Sequence, residues 1–147
     1  MLEYGNGGEY RYVNDDRINC FGYVLFKDKS IYPSNEINTM YSHNTEDYSN
    51  IFVKEISLYT NCRKINSYTD YISANEYRIA LRVPNYYLDS THRYHLIYQL
   101  SDGTWAGKDH INPSQHFGRG NPSDHPEMWS NDAYPSACGT VYFAVRR

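Results

Sequence analysis

The dipeptide Asp102-Gly103 lies between two apolar-rich runs, and it constrains the fold of this chain more than any other feature. Asp-Gly in such a setting is a strong short-range hairpin signal, because these residues accept the positive φ angles that tight turns impose. Tyr94 to Leu100 reads as the outgoing strand and Trp105 to His110 as the return. Upstream, Glu76 to Val83 alternates, with Tyr77, Ile79, Leu81 and Val83 on one face, and Pro84 ends it. Thr140 to Val145 is a further β-rich run, suited to a central strand. The first half is patterned differently. Ile51 to Tyr59 places Phe52, Ile56 and Tyr59 at helical spacing, and Ser67 to Ile72 reads as another short helix. The switch near residue 75 predicts an α+β chain, with helices packed on an antiparallel β-sheet built from 76–83, 93–100, 104–110 and 140–145.

The remaining segments are less regular. Residues 1–17 read as an irregular lead-in with a short strand at Tyr10 to Val13, and 30–48 as a loop or short helix. Residues 111–137 are rich in Asn, Pro, Ser, Gly and His and read as one long loop, of the kind that often forms a functional rim. At 147 residues the expectation is one domain, 1–147, able to bury a core.

Composition narrows the function classes. The net charge is −3 and the 14 basic residues are scattered, which argues against nucleic acid as a partner. No apolar run approaches the length of a membrane helix, so no membrane partner is expected. Met1 to Gly5 lacks the apolar core of a signal peptide, which suits either a cytosolic protein or a domain delivered as part of a longer exported chain. The three cysteines cannot all pair, so three reduced thiols are expected, with a Cys62–Cys138 bridge as the alternative. Neither cysteine nor histidine spacing suits a structural zinc site, and no metal or cofactor is expected.

The chemistry centres on Cys20. It follows the polar run Asn14 to Arg17 and opens the apolar run that continues to Phe26, which is how a thiol looks at the start of a buried helix over 20–27. A helix start presents unpaired N–H groups and a positive partial charge, which favour the nucleophilic thiolate. The same groups can hold an oxyanion, with Asn19 as a further donor or simply as the helix cap. The plain alternative is inert packing, since free cysteine is among the most buried residue types. His95 is the candidate base. Across the Asp102-Gly103 turn a two-residue loop brings His110 opposite it, and a three-residue loop brings Asp109. Asp109 is the best chemical fit for the group that orients an imidazole, with His110 and Asn112 as alternatives.

Asn19-Cys20-Phe21-Gly22-Tyr23, Tyr94-His95, Asp102-Gly103-Thr104-Trp105 and Lys108 together resemble the papain-like superfamily in its compact NlpC/P60 form, and a group of small bacterial proteins with the same motif order. The resemblance implies a nucleophilic Cys20 at a helix start, His95 on an antiparallel sheet and a polar third residue on the next strand. That group often carries a histidine after the tryptophan, where this chain has Gly107. The expectation is a cysteine-dependent hydrolase (peptidase, deamidase or amidase) acting on a peptide, isopeptide or carboxamide bond of a protein or peptide-like substrate. A toxin or effector domain, checked by an inhibitor or immunity protein, suits the small size. Two rivals remain. Seventeen tyrosines and two tryptophans would make a carbohydrate- or protein-binding face without catalysis. A nuclease toxin would instead use His92, His95, His110 and Lys108 as acid and base.

Overall fold

The hydrogen-bonding pattern converts the alternating runs into a single sheet. The computed structural model describes residues 9–33, 44–84, 94–129 and 134–147. Strands β1 (Cys62–Ile65), β2 (Glu76–Arg82), β3 (His95–Gln99), β4 (Thr104–Gly107), β5 (Gln115–Arg119) and β6 (Val141–Arg146) pair in the order β1-β6-β2-β3-β4-β5. Every pairing is antiparallel. Among the described residues two α-helices precede the sheet's main body, α1 (Cys20–Val24) and α2 (Ser49–Ser57). The architecture is α+β, with a six-stranded antiparallel sheet and a few helices.

Both faces of the sheet are covered. On one face Phe21, Tyr23 and Val24 of α1 and Phe52 and Ile56 of α2 pack on Tyr77, Ile79, Leu81, Leu96, Tyr98, Phe143 and Val145. On the other, Trp105, Ile97, Ala80, Tyr142 and Ala144 meet Met128, Trp129 and Tyr134. This is why β2, β3 and β6 are buried almost throughout, while the edge strand β5 is mostly exposed. Among the described residues no helix is long and apolar enough to cross a membrane.

The structure corrects several expectations. Tyr10 to Val13 forms no strand: Val13 is instead fastened through Ser114, whose Oγ accepts from the Val13 N–H at 2.8 Å and whose own N–H donates to the Val13 carbonyl at 2.8 Å. Ser67 to Ile72 is a set of turns rather than a helix, because the Asp70 carboxylate accepts from the Asn66 N–H at 2.7 Å and competes with helical pairing. The segment 111–137 is not one loop, since it contains β5. The sheet also begins before residue 75, with β1. The helix at Cys20 is shorter than expected and ends at Val24.

Candidate active site

Local chemistry sets α1. Asn19 caps it, its Oδ1 accepting from the Gly22 N–H at 2.9 Å. The same Oδ1 accepts from the Ile31 N–H at 3.1 Å, and Nδ2 donates to the Ile31 carbonyl at 2.7 Å. Asn19 therefore acts as a cap and a strut, and its amide is committed to the backbone rather than presented to a substrate oxyanion. Gly22 is obligatory, because an added Cβ would stand 2.0 Å from the Lys29 carbonyl oxygen. At the other end Arg11 donates to the Tyr23 and Lys27 carbonyls, and the Tyr77 hydroxyl donates to the Val24 carbonyl at 2.7 Å. The helix is five residues long and buried throughout.

The hairpin chooses the three-residue register. Leu100 N–H donates to the Thr104 carbonyl at 2.8 Å, leaving Ser101, Asp102 and Gly103 as the loop. Gly103 takes φ +89°, the left-handed position that such a loop assigns to glycine. The ladder then runs Gln99↔Trp105, Tyr98↔Ala106 and Ile97↔Gly107. Carried on by two residues, it sets Asp109 opposite His95. The Asp109 Oδ1 lies 3.7 Å from His95 Nδ1, with the histidine side chain buried and the carboxylate about one-third exposed. His110 and Asn112, the alternatives for this place, are exposed. Gly107 occupies the spot where an added Cβ would approach His95 Nε2 at 3.6 Å and strike Ile97 at 2.7 Å. A side chain there would reach the imidazole from the other nitrogen. In this chain the approach is made by Asp109 on Nδ1.

The Cys20 thiol lies near the end of the same ladder. In the hairpin, alternate residues of β3 turn their N–H groups toward β4, so Leu96 would donate to Lys108 if pairing continued. Pairing stops at Gly107, and the Leu96 N–H lies near enough to Cys20 to favour its thiolate. Cys20 is 8% exposed, and burial pushes its thiol up from 9.0 to about 12, with the Asp109 charge acting in the same direction. The N–H groups of Leu96, Phe21 and Cys20 pull the other way. The expectation that the helix start holds a thiolate is thus reversed: desolvation outweighs the donors, and Cys20 is a neutral thiol.

The imidazole itself lies on the sheet face opposite α1. It stacks on Tyr134 at 5.4 Å between centroids and meets Trp129 edge-on at 6.0 Å. Cys20 therefore lies on the α1 face of the sheet, and the imidazole lies on the other face with the Asp109 carboxylate at its Nδ1.

Three supporting residues were not singled out from sequence for this place. Arg82, across the ladder from His95, is buried with its guanidinium 4.6 Å from the Trp129 ring. It donates to the Tyr134 carbonyl and to Thr140 Oγ1, both at 2.9 Å, so it pins the wall behind the imidazole. The Tyr134 hydroxyl donates to the Tyr94 carbonyl at 2.9 Å and ties that wall to the start of β3. A tryptophan inside a segment rich in Pro and Asn is the signal that could have pointed to Trp129.

Other expectations resolve differently. Lys108 is buried and donates to three backbone carbonyls, which leaves its ammonium no proton for a phosphate. His92, the other member of the nuclease alternative, lies outside the described residues. Trp105 is core, with its indole N–H donating to the Gly120 carbonyl at 3.0 Å. Cys20, Cys62 and Cys138 are all free. No group of three His, Cys, Asp or Glu side chains among the described residues could hold a metal ion. Comparison of the chain with protein-family models, with curated proteins and with solved structures finds no match.

Proposed function

We propose that this protein is a cysteine-dependent hydrolase of peptide, isopeptide or carboxamide bonds, with Cys20 as nucleophile, His95 as general base and acid, and Asp109 orienting His95. The observation that supports the reading is the Asp109 carboxylate 3.7 Å from His95 Nδ1, on the strand whose next residue, Leu96, places its N–H beside Cys20. Because the resting thiol is neutral, attack begins from S–H. The sulfur bonds to the carbonyl carbon as its proton passes to His95 Nε2, a transfer that requires the imidazole to turn from the opposite sheet face toward the sulfur. The N–H groups of Cys20 and Phe21, which favour the thiolate at this position, would hold the developing oxyanion. His95 then returns the proton to the leaving amine, and water cleaves the thioester. With Cys20 so little exposed, a substrate carbonyl reaches the sulfur only when the chain flanking α1 yields.

The burial of Cys20 also favours a second reading, a non-catalytic binding module in which the thiol is core. Labelling with a small haloacetamide separates the two. The hydrolase reading expects Cys20 to label in the folded protein faster than Cys62 and Cys138, and His95→Ala to slow it at least tenfold. Asp109→Ala should slow turnover of an amide substrate while leaving Cys20 open to labelling. Labelling of Cys20 only on unfolding, unchanged by His95→Ala, would establish the binding module instead.

A further inference from the structure

Asp109 lies beyond the last pair of the β3–β4 ladder, so strand pairing does not hold it against His95. The start of α1 lies on the opposite face of the sheet from the imidazole. One side chain touches both. Lys108 is 1% exposed, and its Nζ donates to the Ile18 carbonyl at 2.7 Å, to the His110 carbonyl at 2.8 Å and to the Asp109 carbonyl at 3.4 Å. An ammonium has three protons, and here each has a carbonyl. A buried cation is tolerated only when its donors are satisfied, so these two backbone segments, the one at Ile18 and the one at Asp109-His110, must stay gathered around it. Burial pulls the ammonium toward the neutral form, while Asp15, Asp16, Asp109 and Cys20 all favour the charged form. Ile18 stands just before the Asn19 cap, and Asp109 is the carboxylate facing His95.

We propose that Lys108 is a positioning residue: its ammonium ties the start of α1 to the end of β4, and so holds the Asp109 carboxylate on His95 Nδ1 beside the Cys20 sulfur. This rests on the reading of Cys20, His95 and Asp109 as one site. Methionine at 108 would fill the same space with no donor, and the two backbone segments would part.

The tautomer of His95 reports the outcome without any substrate. A carboxylate facing Nδ1 favours the ring proton on Nδ1, and ring 15N chemical shifts read the fraction of that tautomer in the neutral imidazole. Asp109→Asn gives the reference shift for loss of the charge. Ile56→Val, a core change in α2, gives the control for lowered stability alone. The expected result is that Lys108→Met moves the His95 nitrogens at least halfway to their Asp109→Asn positions, while Ile56→Val leaves them unmoved. If Asp109→Asn shifts them and Lys108→Met does not, the role of Lys108 is overturned and the catalytic reading stands. If Asp109→Asn itself changes nothing, Asp109 is not the partner of His95, and both the third catalytic role and the role of Lys108 fall. Should Lys108→Met not fold, Lys108→Gln is read by the same criteria.

Discussion

Alkaline pH should destabilise this protein through Cys20 by an amount that can be worked out. The folded thiol is pushed up to about 12, against an ordinary value of 9.0. Below pH 9 both the folded and unfolded chains carry the protonated thiol, and the advantage of the neutral buried group is fully present. Between pH 9 and 12 the unfolded chain ionises and the folded chain does not, so stability falls as pH rises. At pH 10 the loss from this one group is about 1.4 kcal/mol, and by pH 12 and above it approaches roughly 4 kcal/mol. Cys20→Ser removes the titration while keeping a side chain of similar shape. Cys62 is likewise pushed up to about 12 by burial, so the comparison belongs in a Cys62→Ser background. Urea unfolding followed by tryptophan fluorescence is suitable, because Trp105 and Trp129 are both fully buried. Between pH 8 and pH 10 the protein that keeps Cys20 should lose about 1.4 kcal/mol more than the Cys20→Ser variant, tyrosine and lysine contributions cancelling between the two. Equal losses would mean that the native sulfur is already ionised or solvated. The chemistry would then start from a thiolate–imidazolium pair and not from S–H.

Two further variants test how α1 is held. Asn19→Ala removes the bonds to Gly22 N–H, Ile31 N–H and the Ile31 carbonyl, and should cost about 3 kcal/mol in chemical denaturation, since each buried bond contributes about 1 kcal/mol; a loss below about 1 kcal/mol would refute the strut role. Gly22→Ala sets a methyl 2.0 Å from the Lys29 carbonyl oxygen and should cost about 3 kcal/mol by forcing the backbone apart, so an unchanged melting temperature would contradict the packing described for this turn.

The parts of the fold that were legible in the sequence are those whose signal is local. Tyr77, Ile79, Leu81 and Val83 face one core as their alternation implied, and Phe52 and Ile56 anchor α2 on it. Asp102-Gly103 limited the partner of His95 to two registers, and the positive φ of Gly103 decides for Asp109. What stayed hidden has no local apolar pattern. In β1 only Ile65 is buried, and β5 is an edge strand whose residues are mostly exposed, so both are strands by backbone pairing alone. Tyr59, read as part of the apolar stripe, lies beyond the helix and is 41% exposed. Arg82, Trp129 and Tyr134 meet only because residues 121–129 and 134–138 pack over the sheet, which no spacing in the chain encodes. The placement of Lys108 escaped for the same reason, since its acceptors come from two segments some 90 residues apart in the chain.

The balance at Cys20 shows why a helix-start cysteine is a weaker sign of a thiolate than its position suggests. The partial charge at a helix N-terminus contributes at most about 1 kcal/mol at ordinary sites, too little to lower a thiol by even one pH unit, and a helix of five residues lies at the low end. Removing the sulfur from water acts the other way and moves it from 9.0 to about 12, although the N–H groups of Leu96, Phe21 and Cys20 pull it down. Position alone therefore leaves Cys20 protonated. Whatever reactivity it has must come from a base that takes the proton during attack. On the proposed reading that base is His95, with the Asp109 carboxylate at its Nδ1, so that reading gives the imidazole more weight than the helix in activating the thiol.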